Sequence, residues 1–512
     1  MITYRDTRGL IDGPRPFTTA ILEGIAPGGG LFVPEGLPHL SLEEILALAP
    51  RPYHERAALV YLAFGLDVAD EETRRIAATA YGSNFDTSQI APVRKAAPGR
   101  FVLELWHGPT LAFKDMALQC MPLFFSQALD QVHESGASAL DFLILVATSG
   151  DTGVAALNGF ADRAHTSVCV YYPARGVSAL QELQMVTQSG DNVGVFGVDG
   201  DFDACQNAVK AVFDDAEFAA ELAGRHGLSL SSANSINWGR LMPQIVYYVS
   251  AYADMVAEHG LPAGAPLDVC VPTGNFGNIL AAYYAKQMGV PIGRLLCACN
   301  ANKVLADFMA TGVYDIAERG LVKTASPSMD ILVSSNLERL LYHLSGDAAR
   351  IRRWMMDLKT TGRFVVDADT RAKLGAEFRG GWVDDAACLR AIGRVQRDHA
   401  YLLDPHTAVA WEVAGILDDE GSPVLIVSTA HWSKFAADVV RGLEGIAPGQ
   451  PVPGGKDDIE LLDRVIELVP DTLVPPQLQA VRRRSVRFHD RVEDGREAIE
   501  GSLRRWLTRR GG

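Results

Sequence analysis

One lysine stands in a context that could make its side chain reactive. Lys114 follows a Gly-Pro turn in ELWHGPTLAFKDMALQ, residues 104–119, and precedes an amphipathic helical pattern. Near a helix N-terminus the dipole disfavours an added positive charge, so we expect a lowered pKa for this amine and a larger share of its neutral, nucleophilic form. A neutral amine can form a Schiff base with an aldehyde. A single lysine is more commonly a solvated surface charge. A reactive role for Lys114 therefore needs further motifs that point to the same chemistry.

A glycine-rich loop could bind a phosphate. In VPTGNFGNILAAYYAK a strand pattern runs through Gly274, Asn275, Phe276, Gly277 and Asn278 into a helical pattern. Several backbone N–H groups and a helix N-terminus can therefore converge on one anion. The loop matches neither GxGxxG nor GxxxxGK[ST]. An ordinary glycine turn between strand and helix is an equally good reading of this loop alone.

A second loop has the same architecture. LVATSGDTGVAAL, residues 145–157, places Thr148, Ser149, Asp151 and Thr152 at another helix start, where hydroxyl and N–H groups could take a second anion. Serine, threonine and aspartate are also the preferred N-cap residues, so a plain helix cap is the alternative. A reactive lysine combined with a phosphate loop suggests pyridoxal phosphate, whose aldehyde bonds the amine while its phosphate occupies the glycine loop.

Strands that alternate with helices must position these groups. Short apolar runs end in turn residues at LDFLILVATSG, TSVCVYYPA, NVGVFGVDG, LDVCVPTG, GRLLCACN and SPVLIVSTA, with helical patterns between most of them. This order is typical of parallel α/β sheets with crossover helices. Residues 1–95 differ, since SLEEILALAP and EETRRIAATAYGSNF predict a mainly helical N-terminal domain. A Pro/Gly-rich linker at 446–458 precedes a basic helical tail that looks docked or partly frayed.

Composition limits the classes of function. The chain has 512 residues, 48% of them apolar, so it can bury more than one core. Its formal charge of −15 disfavours nucleic acid or an anionic membrane as the main partner, although a local basic pocket for a small anion stays possible. No apolar run approaches the roughly 18 residues of a spanning helix, and the polar N-terminus lacks a signal pattern, so we expect a cytoplasmic protein.

Cysteines and histidines give no metal motif. The seven cysteines sit mostly inside apolar stretches without a CxxC pair, which predicts reduced core thiols. His107 and His406 lie in separate segments without HxxxH or HxxH spacing. The sequence predicts no metal.

Six motifs together resemble one enzyme family. ELWHGPTLAFKD, ATSGDTG, SINWGR, PTGNFGN, SPSMDILVSSNLERLL and DPHTAV occur in the order found in threonine synthases of the longer form, as do the N-terminal YRDTRG and GGLFVPEGLP. The likeness runs from Tyr4 to Phe435. It implies an α/β enzyme of fold type II, similar to tryptophan synthase β, with a large pyridoxal-phosphate-binding domain (96–130 and 226–445), a small α/β domain (131–225) and a linker with a helical tail (446–512).

The resemblance also implies an activity and a set of site residues. The reaction is conversion of O-phospho-L-homoserine and water to L-threonine and phosphate, the last step of threonine biosynthesis, by a monomer or homodimer. Lys114 would be both the Schiff-base lysine and the group that moves protons at Cα, Cβ and Cγ. The remaining implied contacts are the loop 274–278, Asp151 and Thr429 with the cofactor, and Thr148, Ser149, Thr152, Ser235, Asn237 and Arg240 with the substrate, where Arg240 suits phosphate because its planar fork donates two parallel bonds.

Departures from the family pattern leave some roles open. Asp151 stands where many relatives of this fold have asparagine near the cofactor's 3′-oxygen. Trp432 and Ser433 replace Pro-Ala after His431, so His431 and Lys434 could support the site or could be packing and salt-bridge groups. We expect a smaller domain to close over the cofactor, because an early proton at the wrong carbon would release a keto acid.

Two other functions stay open at this point. A related lyase or dehydratase would eliminate from phosphohomoserine or serine and release a keto acid, 2-oxobutanoate in the case of phosphohomoserine. A non-enzymatic paralogue would keep the fold for binding alone, and such a protein would typically have lost the lysine.

Overall fold

The N-terminal part of the chain is mainly helical. The computed structural model describes residues 1–136, 138, 140–418, 421–453, 455 and 457–511, so the linker predicted at 446–458 lies partly outside the described residues. The first elements, labelled in chain order, are β1 (Tyr4–Asp6), α1 (Phe17–Glu23), β2 (Phe32–Pro34), α2 (Leu42–Leu46), α3 (Tyr53–Ala63) and α4 (Asp70–Ala80). Ser41 and Glu44 form a capping box that starts α2.

Six strands form the larger sheet, in the order β13-β10-β9-β14-β4-β3. All neighbours are parallel except the antiparallel edge pair β3 and β4. The strands are β3 (Val93–Ala97), β4 (Arg100–Glu104), β9 (Leu267–Pro272), β10 (Ile292–Cys299), β13 (Phe378–Trp382) and β14 (Val424–Ser428). The buried runs of valine, leucine and isoleucine in β9 and β14 follow from their central positions, where helices cover both faces.

Helices and one small ribbon surround this sheet. They are α5 (Asp115–Leu118), α6 (Met121–Glu134), α11 (Trp238–His259), α12 (Gly277–Gln287), α13 (Val304–Thr311), α14 (Leu337–Ser345), α15 (Ala348–Thr361), α16 (Ala368–Glu377), α17 (Asp385–His399), α18 (Pro405–Ile416), α19 (Ala436–Glu444), the strands β11 (Val313–Asp315) and β12 (Arg363–Val365), and two 3-10 turns, Pro327–Met329 and Trp432–Phe435. The strands β11 and β12 pair antiparallel.

Five parallel strands form the smaller sheet, in the order β15-β7-β6-β5-β8. Its elements are β5 (Asp141–Ala147), α7 (Asp151–Phe160), β6 (Thr166–Pro173), α8 (Ala179–Val186), β7 (Val193–Asp199), α9 (Phe202–Phe213), α10 (Ala216–His226), β8 (Leu228–Ser231) and β15 (Arg491–Glu493). The strands β8 and β15 lie outside the range 131–225 predicted for this unit. Both are short and only partly apolar, so they lack the buried run that marks the central strands.

The C-terminal tail is docked at two places. Its helices are α20 (Asp458–Leu468), α21 (Pro476–Arg482) and α22 (Arg496–Gly511). Leu461 and Leu478 of α20 and α21 join the core beside α17 to α19 of the larger sheet, whereas α22 packs on the smaller sheet. Leu503 and Trp506 of α22 are buried against β6 and β7, and the Trp506 indole donates to the Val193 carbonyl at 3.2 Å. Several basic side chains of the tail form ion pairs, for example Arg504 with Glu221 at 2.7 Å.

The N-terminal part shares a core with the larger sheet. Tyr4 and Phe17 are fully buried together with Trp238 of α11, and the rings of Tyr4 and Trp238 lie 5.5 Å apart. The YRDTRG motif fixes this contact, because Arg8 pairs with Glu338 of α14 at 2.9 Å and Thr7 donates to the same carboxylate at 2.6 Å. The motif therefore attaches the N-terminal part to the body of the molecule.

The predicted functional loops follow the carboxyl ends of strands. The Lys114 segment follows β4, the loop 273–278 follows β9, Thr429 follows β14, and the loop 148–150 follows β5. Ligands of parallel α/β sheets bind at such ends.

All seven cysteines are buried and unpaired, as predicted. Among the described residues, no helix is long and apolar enough to cross a membrane.

Candidate active site

The segment before Lys114 is clamped to the end of β14. Phe113 N–H donates to the Thr429 carbonyl at 2.8 Å, and His431 N–H donates to the Leu111 carbonyl at 3.0 Å. Leu111 has a left-handed φ of 63°, which turns the chain between the Gly-Pro turn and α5. These two bonds hold Lys114 beside Thr429, although the two residues are far apart in sequence. Thr429 itself is buried.

The Lys114 amine lies in a buried, charged environment. Its Nζ is 3.4 Å from Asp151 Oδ2, and 12% of its side chain is exposed. Burial lowers the pKa of this amine, Asp151 opposes the shift, and the positive charges of Lys434 and Arg240 add to it. The lowered pKa agrees with the expectation, but its first cause differs. Burial is the largest cause of the shift, and the helix α5 that Lys114 precedes has only four residues.

Asp151 connects Lys114 to a second buried lysine. Its Oδ1 lies 2.8 Å from Lys434 Nζ and accepts from Gln181 Nε2 at 2.8 Å, while Oδ2 accepts from Ser328 Oγ at 3.4 Å. Burial acts to raise the pKa of Asp151, but the charges of Lys434 and Lys114 outweigh it and hold this pKa below its usual range. Asp151 is therefore ionised, and Lys434, whose role the sequence left open, is a salt-bridge partner inside the site.

The loop after β5 is shaped by its own threonine. The Thr148 hydroxyl accepts from the N–H groups of Gly150 at 3.0 Å and Gly153 at 2.9 Å. Gly150 has φ 134°, and a Cβ there would lie 2.4 Å from Gln181. Ser149 is exposed and Thr152 is half-buried, and neither hydroxyl has a hydrogen bond within the described chain. Thr148 therefore builds the turn, which leaves Ser149 and Thr152 available to a ligand.

The glycine loop approaches a neighbouring backbone closely. A Cβ at Gly274 would lie 2.7 Å from the Ser328 carbonyl oxygen and 3.1 Å from Ile331. The Gly274 carbonyl accepts from Ser334 Oγ at 2.6 Å. Phe276 has a left-handed φ of 64° and caps α12, which starts at Gly277. The predicted strand, glycine turn and helix start are thus all present. The N–H groups in the first turn of α12 point out of the N-terminal end of the helix.

Two asparagines flank this turn. The Asn275 carbonyl accepts from both the N–H and the side-chain amide of Asn336, each at 3.1 Å. Asn278 is buried, and its Oδ1 accepts from Tyr247 at 2.8 Å and from Tyr248. Its Nδ2 has no hydrogen-bond partner among the described residues. A buried donor without a partner is costly, and an anion held at this helix start would satisfy it.

Arg240 is a buried cation without a carboxylate partner in the described chain. Its Nη1 donates to the Ala233 carbonyl at 2.6 Å, whereas its Nε has no partner among the described residues. Burial lowers the pKa of Arg240 to about 10. Only 3% of the residue is exposed. A buried guanidinium without an anion is unfavourable, which fits a position kept for an anionic ligand.

The other two predicted substrate-binding residues of the SINWGR segment, Ser235 and Asn237, have different surroundings. Asn237 is the N-cap of α11, because its Oδ1 accepts from Gly239 N–H at 2.9 Å, and its Nδ2 donates to the Ile21 carbonyl at 2.8 Å. Both polar atoms of Asn237 are thus engaged in fixing the helix start and the N-terminal part. Ser235 is half-buried, and its hydroxyl donates to Asn234 at 3.2 Å.

Three histidines near the site are held by contacts within the chain. His107 lies between Asp86 at 2.6 Å and Glu104 at 3.0 Å. Burial acts to lower the pKa of His107, but these two carboxylates outweigh it and raise that pKa. His406 accepts from Ser328 N–H at 3.2 Å, and His431 caps the turn Trp432–Phe435 with its pKa lowered to about 3 by burial.

Sequence reasoning missed several residues of this site. Gln181 and Ser328, which hold Asp151, come from α8 and from the 3-10 turn Pro327–Met329. The local pattern marks Gln181 only as the capping-box partner of Ser178, and its contact with Asp151 arises from the packing of α8 on α7. The phrase SPSMDI was a usable signal for Ser328, since it belongs to the family motifs.

Two family models match the chain. One described as Threonine synthase N terminus matches residues 3–81, and one described as Pyridoxal-phosphate dependent enzyme matches residues 95–429. Threonine synthase-like 1 of Homo sapiens is 45% identical over 438 residues, which cover 84% of this chain. The chain spans 58% of the length of that relative.

Two further proteins match over most of their length. Threonine synthase of Pseudomonas aeruginosa is 39% identical over 451 residues, 88% of this chain and 92% of that protein. The crystal structure of PLP-bound threonine synthase from Brucella melitensis matches with a TM-score of 0.86 at 34% identity, over 99% of this chain and all of that one. The chain therefore belongs to the pyridoxal-phosphate-dependent enzymes of fold type II and, within them, to the threonine synthase family.

Proposed function

We propose that this protein is a threonine synthase that converts O-phospho-L-homoserine and water to L-threonine and phosphate. The observation that carries the proposal is the buried Arg240 guanidinium, whose Nε has no partner among the described residues and which lies near enough to Lys114 to lower the pKa of its amine. A phosphorylated substrate supplies the anion that this guanidinium lacks.

The residues around Lys114 fit pyridoxal phosphate. The amine is buried with a lowered pKa, the turn at Gly274 leaves no room for a side chain, and Asn278 has an unpaired amide. We infer that Lys114 bonds the cofactor aldehyde, that the loop Gly274 to Asn278 holds its phosphate, and that Thr429 and Asp151 contact its ring. When bound, the cofactor withdraws electrons from the substrate Cα and so makes its proton removable.

The chain's own residues supply the proton transfers and charge stabilisation. Once substrate displaces it, the Lys114 amine takes the proton from Cα and moves protons at Cβ and Cγ. Arg240 and Ser235 stabilise the charge that grows on the departing phosphate. Ser149 and Thr152, whose hydroxyls have no hydrogen bond among the described residues, bind the substrate carboxylate at the start of α7. Thr148 and Asn237 contribute through the turns that they build.

Water has to be controlled during this sequence. We propose that the smaller sheet and its helices close over the site when substrate binds, since the loop 148–152 that would bind the substrate belongs to that unit. Small-angle scattering of the holoenzyme with and without a non-reactive substrate analogue tests this. Identical scattering curves would contradict closure.

The central experiment is incubation of the purified holoenzyme with O-phospho-L-homoserine. Threonine and phosphate should appear in equal amounts. Release of 2-oxobutanoate with the phosphate would instead identify a related lyase, and absence of turnover would favour a binding paralogue. Lys114→Ala should abolish turnover, whereas Lys303→Ala, which changes a partly exposed lysine paired with Asp307, should not.

Further properties belong to the same proposal. We propose that nucleic acid is not a partner, because the net charge of −15 would repel the phosphate backbone. Seven unpaired cysteines support a cytoplasmic location. We expect a monomer or a homodimer, which light scattering of the holoenzyme measures directly.

A further inference from the structure

Two histidines and an aspartate converge on the surface of the smaller sheet. His133 lies at the end of α6, Asp141 opens β5, and His165 precedes β6. Asp141 Oδ1 lies 2.8 Å from His165 Nδ1 and 3.8 Å from His133 Nε2, and the three donor atoms all lie within 4.8 Å of one another. We propose that these three side chains form a binding site for Zn²⁺.

The donor set selects the class of metal. Two imidazole nitrogens and one carboxylate oxygen suit zinc and the neighbouring divalent transition metals, whereas magnesium and calcium require oxygen ligands. The seven cysteine thiols are buried, so they do not compete for an added ion. With three protein ligands, the fourth tetrahedral position is left to water.

The side chains can reach coordination distance. Zinc-bound atoms lie about 2.0 to 2.2 Å from the metal, which sets the donors of a tetrahedral site about 3.4 Å apart. The Asp141 and His165 donors, now 2.8 Å apart, would separate slightly, and the His133 donor, now 3.8 Å from Asp141, would move closer. The three side chains are 22% to 45% exposed, and such side chains rotate at little packing cost. The Nε2 of His133 gives up its present hydrogen bond to the Leu140 carbonyl, 3.2 Å away, when it coordinates.

A fourth residue supports this reading. Nε2 of His165 lies 3.3 Å from Asp130 Oδ1, on the side of the ring opposite Asp141. Metal-binding histidines commonly donate their second ring N–H to a carboxylate, which fixes the ring and raises the basicity of the coordinating nitrogen. Asp130 would therefore hold His165 with Nδ1 directed at the ion.

The bound ion would join three elements. The site would tie the end of α6 to the first residues of β5 and β6. Since none of its residues belongs to the proposed active site, zinc should stabilise the smaller sheet without being required for turnover.

The test uses the holoenzyme stripped of metal by a chelator and titrated with ZnCl2. Calorimetry should give one ion per chain with a dissociation constant in the micromolar range or below, and the thermal unfolding midpoint should rise. MgCl2 should produce neither effect. Absence of zinc binding, or binding only in the millimolar range, would overturn the proposal.

Variants separate this site from adventitious binding. His165→Ala should abolish the zinc-dependent rise in unfolding midpoint, and Asp130→Asn should weaken binding by about 10- to 100-fold. His489→Ala is the control, because His489 is exposed on a different segment and should leave binding unchanged. Circular dichroism establishes folding, and His133→Gln replaces His165→Ala if the latter unfolds. Unchanged zinc affinity in the ligand variant, or an equal loss in the control, would refute the assignment.

Discussion

The Lys434 ammonium lies 2.8 Å from the Asp151 carboxylate, and both side chains are buried. The same carboxylate is 3.4 Å from Lys114, so one anion is shared by two cations. Arg240 adds a further positive charge that has no carboxylate partner in the described chain. The ligand-free site therefore carries excess positive charge, which favours a cofactor and a substrate that both bear phosphate.

Replacement of Lys434 should change both stability and cofactor binding. Lys434→Met leaves Asp151 with Lys114 as its only nearby ammonium, and loss of one member of a buried pair costs about 3 kcal/mol of unfolding free energy. The pKa of Lys114 should rise, because one of the positive charges that lower it is gone. Pyridoxal phosphate is titrated into the apoenzyme at a series of pH values. The midpoint, which is the pH at which cofactor binding is half-maximal, should be higher in the variant than in wild type. Lys303→Met should leave that midpoint unchanged, and an unshifted midpoint in Lys434→Met would contradict the coupling.

Removal of Arg240 should separate binding from stability. In Arg240→Met the KM for O-phospho-L-homoserine should rise about 10- to 100-fold, since a charged hydrogen-bonding group to phosphate is lost. The unfolding free energy of the ligand-free enzyme should stay unchanged or increase, because a buried charge without an anion is removed. Steady-state kinetics and urea unfolding measure the two effects. Arg225→Met, at a residue whose side chain is 76% exposed, should change neither. A strongly destabilised Arg240→Met would indicate a structural role.

A side chain at Gly274 should damage the phosphate loop. In Gly274→Ala the new Cβ would lie 2.7 Å from the Ser328 carbonyl, and relief of that overlap costs about 1 to 3 kcal/mol. Because the loop and the 327–329 turn must separate, affinity for pyridoxal phosphate should fall. The visible absorption of the bound cofactor, followed during titration, reports this. Gly375→Ala in α16 has open space at its Cβ and serves as control. Equal cofactor affinity in the two variants would argue against the proposed phosphate contact.

Asp115, next to Lys114, should leave a signature in the pH dependence of stability. Burial raises its pKa to about 6 from 3.8, although bonds from Thr110 oppose the shift. The folded state therefore binds the extra proton between these values, and this residue makes the unfolding free energy fall as pH rises from about 4 to about 6. Asp115→Asn cannot ionise, so its stability relative to wild type should increase by about 3 kcal/mol over that interval, above a constant offset from the altered Thr110 bonds. Urea denaturation of both proteins at about pH 4 and about pH 6 measures this difference in unfolding free energy. An equal difference at the two pH values would contradict the prediction.

The sequence predicts the central strands and the site loops well. The strands β5, β6, β7, β9, β10 and β14 all occur at the predicted apolar runs, because strands buried on both faces need continuous hydrophobic segments. The Gly274 motif follows β9, one of these strands, whereas the Lys114 motif follows β4, which no predicted apolar run marks. The resemblance to a known family suggested the chemistry, which the loops alone left open.

Other features could not be predicted because they depend on packing between distant segments. The pairing of Lys434 with Asp151 requires the turn after β14 to meet the start of α7, and no local pattern records that contact. Burial, which lowers the pKa of Lys114, is likewise a property of the folded molecule. The strand β15 is only three residues long, and its place beside β7 follows from the docking of α22.

The edge position of β15 affects the order in which the chain can fold. During synthesis, β5 to β8 leave the ribosome long before residues 491–493, so β7 spends that interval as an unpaired parallel edge. Nearly three hundred residues, including most of the larger sheet, are made between β7 and β15. Nascent chains at this stage should therefore expose an aggregation-prone edge strand. We expect chaperones to bind the growing polypeptide most strongly before its last helix is synthesised.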